Sequence, residues 1–451
     1  MKFLNQYLPQ IKFKELLGNQ LIQSFLTVGI ITLLVKGLGF YKESVVAANF
    51  GLSKVLDTFY IAYLIPTFIL NVFISAFKNV FIPNYVAELK TGKDISGIQS
   101  AGFLITGFVS VLFTLIAFLF TDVYLENIFP GHTPSYYALV KSHFYFVMPC
   151  IIFWGFSSLL SGLLNIQKEF LHSTLAGIFM PVAIIATLFL FRASLGDMVL
   201  AVGTLIGTIL SFIYLLVTCL NREIINLSKP DFNNQNVRQM FVQVPAKASS
   251  GFFTGLIGVT DQYFAAQLVI GSIAALNYGL KIPAFLIGLL TIAISNVLLP
   301  YFSGSVIENR ERAFHNLVRM LKLIFIVSAI AAIIGILLSD FLVELFFERK
   351  EFTAEDTERV AAIQKLFLIY APFTICGMVV VNFLTSINKN AFMAKVSFGS
   401  MCANFVLDYI LMKYYGVFGI ALCSTVVHIA KSLVLFFYAM KQKKLGDAGD
   451  S

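Results

Sequence analysis

Twelve apolar runs, each about as long as a membrane-crossing helix, occupy most of this 451-residue chain. A spanning helix needs about 20 consecutive apolar residues. Hydrophobic residues make up 58% of the chain and charged residues only 12%, so a soluble protein of this size has too little interior to hide them. The sequence therefore predicts an all-α polytopic membrane protein with about 12 transmembrane helices. The runs lie at about 20–40, 58–84, 101–121, 137–164, 172–192, 198–220, 246–270, 274–300, 318–345, 361–386, 394–413 and 416–440.

The distribution of Lys and Arg predicts the orientation of these spans. An even number of spans places both termini on one side. If that side is the cytoplasm, the cytoplasmic connections and tails hold 18 Lys and Arg, the opposite side holds seven, and seven lie within spans. This excess follows the positive-inside rule. It accounts for the net charge of +8, so the charge does not indicate a protein that binds nucleic acid. Both termini are predicted to be cytoplasmic, with residues 1–17 as an amphipathic lead-in on the membrane surface.

The two halves of the chain resemble each other. The longest cytoplasmic connection, about 221–245, divides the spans six and six, which predicts an N-lobe at 1–226 and a C-lobe at 227–451. Ile82-Pro83 matches Leu299-Pro300 at an offset of 217, and Ala47-Ala48 matches Ala265-Ala266 at an offset of 218. An even number of spans in each copy makes the repeats parallel, with the substrate path between them.

Several lysines occur inside apolar runs, where a charge costs about 2.5–3.5 kcal/mol on insertion scales. Lys36 and Lys42 bracket two glycines of the first span that permit a bend toward one cavity. Lys281 lies beside Pro283, and a broken helix next to a buried cation is typical of a ligand site. The alternative is that each lysine extends to the nearest interface, with Lys36 ending a short helix.

The second span carries a polar stripe formed by Asn71, Ser75, Lys78 and Asn79 at helical spacing. Such a stripe faces either a water-filled cavity or another helix, where its side chains hydrogen-bond. Lys78 lies near the cytoplasmic end and can also extend to the interface. Asp57 begins the span, where it can act as an N-terminal cap.

Oxygen-bearing side chains in three later spans form a candidate cation site. Asn404 and Asp408 are four residues apart and share one helix face, Asp261 lies on a polar stripe of the seventh span, and Ser424 follows in the twelfth. Two carboxylates, an amide and a hydroxyl suit Na⁺, and the carboxylates alone suit H⁺. The alternative is that Asp408 pairs with a lysine such as Lys413.

Motifs of several function classes are absent from the sequence. It contains no G-x-x-x-x-G-K-[ST] motif, which excludes an encoded nucleotide site. H-E-x-x-H and C-x-x-C are also absent, and five cysteines in apolar stretches cannot form a disulfide framework. The sequence predicts neither an enzyme nor a bound organic cofactor.

The opening of the chain resembles that of the MurJ/MviN family. The resemblance rests on Val35-Lys-Gly-Leu-Gly-Phe-Tyr-Lys-Glu43, then Ala47-Ala48-Asn-Phe-Gly51, then Asp57 to Pro66 and Phe81-Ile-Pro83, and it extends over about 20–440. This family belongs to the MOP superfamily together with MATE exporters. The resemblance implies two six-helix lobes in a V and transport by alternating access.

The resemblance also implies roles for individual residues. Three lysines fall where the family has cavity arginines, which keeps the charge but loses the bidentate fork that binds phosphate. Asp57 matches an acid of the family, and Asn71 falls on one of its arginines. The implied substrate-binding residues are Lys36, Lys42, Asp57, Asn71 and Lys281, and the implied sodium site is Asp261, Asn404, Asp408 and Ser424.

The expected function is that of a flippase in a bacterial cytoplasmic membrane. Its substrate is a polyprenyl-diphosphate-linked saccharide, either lipid II or a polysaccharide repeat unit, and Na⁺ or H⁺ is the candidate coupling ion. The expected partners are this substrate and membrane lipid, with no nucleotide and no nucleic acid. The alternative function is a MATE-like drug/cation antiporter, although three lysines do not suit a cationic cargo.

Overall fold

The computed structural model describes residues 20–91, 95–387 and 389–447, and nearly all of them are helical. In lipid every backbone N–H and C=O needs a partner within the chain, which a continuous helix provides by itself. Seven helices in this described part are long and apolar enough to cross a membrane. The all-helical membrane fold is confirmed, while the number of 12 spans stays a prediction. The predicted lead-in at residues 1–17 lies outside the described residues.

The described first half of the chain contains ten α-helices. A π-helical turn, Leu70–Ile74, joins α2 to α3, and the Ser75 hydroxyl donates to the Leu70 carbonyl there at 3.0 Å. The helices are α1 Gln20–Phe50, α2 Lys54–Ile69, α3 Ser75–Thr91, α4 Ile95–Leu119, α5 Thr121–Ile128, α6 Pro134–Val147, α7 Cys150–Ile166, α8 Phe170–Leu175, α9 Phe179–Leu195 and α10 Val199–Asn221.

The described second half of the chain contains six α-helices. Thr353 and Asp356 form a capping box that fixes the start of the fifth of them. The sixth is broken at Gly416 into two arms. The helices are α11 Gln235–Ala265, α12 Ser272–Glu308, α13 Arg310–Leu337, α14 Ser339–Phe347, α15 Ala354–Ser386 and α16 Asn390–Asp447.

Helix boundaries recur at the spacing predicted for the internal duplication. Helix α2 begins at Lys54 and α12 begins at Ser272, 218 positions later. Helix α4 ends at Leu119 and α13 ends at Leu337, again 218 positions later. Both copies also place a short helix directly after this end. The offset found in short sequence matches is therefore an offset between whole structural elements.

A glycine turn also recurs in the two halves. Gly196 has φ 52° and ψ −125° between α9 and α10, and Gly416 has φ 55° and ψ −134° between the two arms of α16. A side chain makes this backbone conformation costly, and glycine adopts it freely. The two turns lie 220 positions apart and each connects a pair of consecutive helices.

By internal packing the chain divides into two compact units, and neither unit is a continuous segment. The first unit consists of the described part of Met1–Glu43 with Phe77–Thr114 and Phe146–Phe241. The second unit consists of Ser44–Ala76, Leu115–Tyr145 and the described part of Val242–Ser451. The predicted lobe boundary between residues 226 and 227 stays a prediction.

Each unit has its own tightly packed interior. In the first unit α9 and α10 approach so closely that a Cβ atom on Gly203 would lie 2.9 Å from the Ile184 Cα. In the second unit Phe383 packs against Phe302 and Phe314, with ring centroids 5.2 and 4.8 Å apart. All three of these aromatic side chains are buried.

Candidate cation site and substrate-binding side chains

Three of the four predicted cation ligands are joined directly by hydrogen bonds in the second unit. Asp261, near the end of α11, accepts from the Asn404 amide at 3.0 Å and from the Ser424 hydroxyl at 2.6 Å. Asn404 lies on the first arm of α16 and Ser424 on the second. Both are buried, and Asp261 is half-buried. The structure thus brings residues 163 positions apart into one polar cluster.

The break at Gly416 allows the two arms of α16 to approach each other. The Cys423 thiol on the second arm donates to the Asn404 carbonyl on the first arm, with an S–O distance of 3.4 Å. Thr425 fixes the second arm to α15 by donating to the Leu366 carbonyl at 2.9 Å. One glycine turn and these two contacts therefore position the cluster.

Asp408 completes the group and has no hydrogen-bond partner for either carboxylate oxygen among the described residues. Its side chain is fully buried, and its charge interacts with that of Asp261. The Asn404 side-chain oxygen is also buried without a donor. Lys413, which the sequence offered as a partner for Asp408, instead lies over the Tyr409 ring at 3.8 Å. The predicted alternative of an Asp408–Lys413 pair is therefore wrong.

This arrangement has the chemistry of a site for a hard monovalent cation or a proton. Buried polar atoms in native proteins are almost always paired, yet three oxygens of Asn404 and Asp408 point at no donor in the described residues. Two neighbouring buried carboxylates repel each other unless a cation or a proton lies between them. Oxygen ligands are those that hard cations prefer.

The two lysines of α1 have different surroundings within the first unit. Lys36 is exposed, and Lys42 forms an ion pair with Glu43 at 2.5 Å. Helix α1 runs without interruption through Gly37 and Gly39 to Phe50. Lys36 therefore does not end a short helix, which was one reading of the sequence. The substrate-binding role of both lysines stays a prediction.

Lys281 and Asn71 belong to the second unit. The Lys281 ammonium lies 5.8 Å from the centre of the Tyr60 ring, within the range of a cation–π interaction. Asn71 is exposed in the π-helical turn, a feature that is frequent at functional sites. Their predicted contact with substrate also stays a prediction.

Asp57 is buried, and its carboxylate is occupied by the backbone of another helix. It accepts from the N–H of Gly271 at 2.6 Å and from the N–H of Ala274 at 2.8 Å. These amides are at the start of α12, so Asp57 caps α12, while Ser53 caps its own helix α2. The expectation that Asp57 caps its own span is wrong. Its predicted contact with substrate remains untested.

We expect Asp57→Ala to destabilise the protein strongly. The change leaves two buried N–H groups without an acceptor, at about 1–3 kcal/mol each, and it removes a negative charge from the start of α12. Thermal unfolding of the purified protein in detergent is the measurement. Asp122→Ala is the matched control, because its ion pair with Lys141 is largely exposed and such pairs contribute little. Equal melting temperatures for both variants would contradict the capping role.

Within the second unit, further hydrogen bonds join residues from the two halves of the sequence. They lie at connections that are predicted to be on the outer side of the membrane. Arg349 donates to the Ser44 hydroxyl at 2.7 Å, and Ser44 donates to the Phe346 carbonyl. The Glu351 N–H donates to the Ala48 carbonyl at 3.3 Å. These contacts link the end of α1 to the connection between α14 and α15. Ser44 and Arg349 were not predicted, because nothing in their local sequence indicates a partner about 300 residues away.

His132 packs in the same unit, in the connection before α6. Its ring stacks on Tyr136 with a centroid separation of 4.0 Å. Burial lowers the pKa of His132, and a hydrogen bond with the Ala266 backbone opposes this shift. The neutral imidazole is therefore favoured at neutral pH.

Sequence comparison finds one family over nearly the whole chain. The family described as lipid II flippase MurJ matches residues 46–450. A probable lipid II flippase MurJ from Buchnera aphidicola subsp. Baizongia pistaciae (strain Bp) is 24% identical over 407 residues. That alignment covers 88% of this chain and 79% of the relative.

Solved structures share the fold. One, described as lipid II flippase MurJ in an inward closed conformation, has a TM-score of 0.78 at 22% identity and covers 92% of this chain and 87% of its own. Another, described as the inward-facing conformation of a multidrug resistance MATE family transporter of the MOP superfamily, has a TM-score of 0.77 at 11% identity. It covers 94% of this chain and 99% of its own.

Proposed function

The chain belongs to the lipid II flippase MurJ family, and from this premise we propose that it moves a polyprenyl-diphosphate-linked saccharide across the bacterial cytoplasmic membrane by alternating access. The observation that carries the proposal is the family match over residues 46–450. The family is one of transporters and not of enzymes. Its description favours lipid II as the saccharide carrier over a polysaccharide repeat unit.

The physical task of such a protein is to carry a diphosphate through hydrocarbon. An unpaired buried charge costs tens of kcal/mol in the idealised limit, and sugars cannot cross unaided. Lys36, Lys42 and Lys281 supply positive charge to neutralise the diphosphate, while the polyprenyl tail stays in lipid. The ion pair between Lys42 and Glu43 has to loosen if this lysine is to contact phosphate.

The outer-side contacts of the second unit support alternating access. A carrier that loads from the cytoplasm has to be closed toward the outside at that time. Asp57 at the start of α12 and Arg349 beside Ser44 hold connections from both sequence halves together. All of these contacts are hydrogen bonds, and when the outer side opens water can take the place of each lost partner, which costs less than leaving a buried group unpaired.

We further propose that a Na⁺ ion, or a proton in its place, binds at Asp261, Asn404, Asp408 and Ser424. The unpaired oxygens of Asn404 and Asp408 support this assignment. One Na⁺ between two carboxylates leaves a net negative charge, so a proton or a nearby lysine shares the balance. A membrane potential of 100 mV supplies about 2.3 kcal/mol per charge moved, which is enough to bias two states of nearly equal free energy.

A MATE-like drug/cation antiporter is less well supported. Similarity to the MATE structure at 11% identity shows the fold alone, and many functions share one fold. Lysines in the substrate path would repel a cationic drug. Drug resistance on overexpression that is independent of the supply of lipid-linked sugars would favour the antiporter.

Replacement of a cell's own flippase tests the proposal. We expect this chain, expressed in a bacterium depleted of its lipid II flippase, to restore growth and the appearance of lipid II in the outer leaflet.

A fluorescent tag on either end of the chain tests the proposed cytoplasmic termini, because a quencher added outside the cell should not reach it. The complementation experiment has two further outcomes. Normal membrane insertion without restored growth would contradict the lipid II assignment, and restoration of a polysaccharide pathway would identify the other substrate.

A further inference from the structure

We propose that Lys78 is a further residue that binds the diphosphate of the substrate, on the path that the substrate takes inward from the cytoplasmic leaflet. The inference rests on the proposed flippase function and deepens it. Lys78 lies on α3 in the first unit and is half-buried. Among the described residues it has no hydrogen bond and no ion pair, so its charge is uncompensated there.

The packing of α3 against α7 determines where the Lys78 side chain runs. A Cβ atom on Gly162 would lie 3.8 Å from the Lys78 Cε and 3.0 Å from the Ile82 Cδ1. The tight approach at Gly162 is that of Ile82, and the Lys78 Cε passes the same point of α7 at an ordinary van der Waals distance. The end of the Lys78 stem therefore runs alongside α7.

The exposed face of α3 at this level is polar. Asn79 is exposed, whereas Phe77, Val80 and Phe81 around it are buried. A face of a spanning helix that contacts lipid carries apolar side chains, since polar groups there lose their hydrogen bonds to water. This face therefore borders water or headgroups.

For comparison, α4 in the same unit exposes large apolar side chains, as a lipid-facing helix does. They are Leu104, Phe108 and Leu112.

The cytoplasmic end of α3 gives the depth of Lys78. Glu88, ten residues later, accepts from the side-chain amides of Asn234 at 3.1 Å and Asn236 at 2.6 Å. These asparagines belong to the connection that the Lys and Arg count places in the cytoplasm. At 1.5 Å per residue Lys78 lies about 15 Å deeper. Headgroup layers are about 5–8 Å thick on each side, so Lys78 lies below the lipid phosphates, at the depth of the hydrocarbon.

Two molecules could bring a phosphate to Lys78: the substrate, with its diphosphate, and an ordinary phospholipid, with its headgroup. Both would satisfy a lysine ammonium. The polar neighbour Asn79 favours the substrate, because an amide also hydrogen-bonds to a sugar or a second phosphate. The test has to separate the two sources.

The experiment compares Lys78→Gln, Lys78→Arg and Lys90→Gln in the full-length protein, reconstituted in phosphatidylcholine nanodiscs. Lys90 is exposed in the last turn of α3 and controls for general surface charge. Thermal stabilisation is titrated with purified lipid II and, separately, with phosphatidylglycerol. We expect Lys78→Gln to weaken lipid II binding at least about tenfold. Lys78→Arg and Lys90→Gln should bind like the parent protein, and the response to phosphatidylglycerol should be unchanged throughout.

Three results would overturn the proposal. The first is an unchanged lipid II response together with a lost phosphatidylglycerol response in Lys78→Gln, which would make Lys78 a headgroup anchor. The second is an equal loss in Lys90→Gln. The third is a normal lipid II response in every variant. If the parent protein itself shows no response to lipid II, the proposed function fails, and that outcome is visible before any variant is measured.

Discussion

Removal of the charge at Lys36 or Lys281 is expected to abolish flipping while the protein still inserts at its normal level. Each lysine is proposed to contact a diphosphate, and a hydrogen bond to a charged group contributes about 1.5–3 kcal/mol. Loss of one such contact weakens substrate binding by about 10- to 150-fold. Growth of flippase-depleted cells that express Lys36→Ala or Lys281→Ala is the measurement, with the protein level determined by immunoblotting of membranes.

Two further variants make this prediction specific to charge in the binding site. Lys281→Arg keeps the charge and adds a bidentate fork for phosphate, so it should support growth. Lys229→Ala removes an exposed charge from the connection that is predicted to be cytoplasmic, and it should have no effect. Full growth with both alanine variants in the site would show that these lysines do not bind the diphosphate.

Na⁺ is expected to stabilise the purified protein, and the effect is expected to be lost in Asp408→Asn and reduced in Asp261→Asn. Asparagine has nearly the same shape as aspartate, so the fold is retained while one charge is removed from the cation ligands. Asp261 keeps its hydrogen bonds to Asn404 and Ser424 in the Asp408 variant. We expect Na⁺ affinity to fall at least about tenfold per carboxylate, measured by thermal shift in NaCl against choline chloride.

Asp340→Asn serves as the control for this titration. Asp340 pairs with Lys365 at 2.6 Å and is largely exposed, so the change should not alter the Na⁺ response. Flipping that is indifferent to replacement of Na⁺ would remove the sodium site from the mechanism. Activity that depends on pH and not on Na⁺ would assign the same carboxylates to protons.

The membrane class, the helices and the duplication could be predicted because each depends on a pattern of neighbouring residues in the sequence. Apolar runs fix the helical spans, and short matches such as Ile82-Pro83 with Leu299-Pro300 reveal the offset. The grouping of Asp261 with Asn404 and Ser424 came from helix-face arguments and the family resemblance. The structure joins these three side chains by hydrogen bonds.

What could not be predicted depends on contacts between distant segments. Asp57 has an ordinary position near the start of a span, and its partners at Gly271 and Ala274 follow more than 200 residues later. The π-helical turn at Leu70–Ile74 is similar, since nothing in L-N-V-F-I distinguishes it from an α-helix. In both places tertiary packing selects one of several locally acceptable conformations.

The matching glycine turns at Gly196 and Gly416 show how far the two copies have diverged in chemistry. At the spacing of these turns, Asn404 and Asp408 correspond to Ile184 and Leu188, both buried apolar residues. The packing supports the correspondence, because Gly203 contacts Ile184 as Cys423 contacts Asn404.

At these two positions one copy therefore has a polar interior and the other an apolar core. At the 218-residue offset Asp261 corresponds to Glu43, whose carboxylate is already neutralised by the adjacent Lys42. The cation proposed to bind at Asp261 would therefore act on the helices of one copy only. On this proposal two similar frames share a single site of energy input, so the symmetry of the architecture does not extend to its thermodynamics.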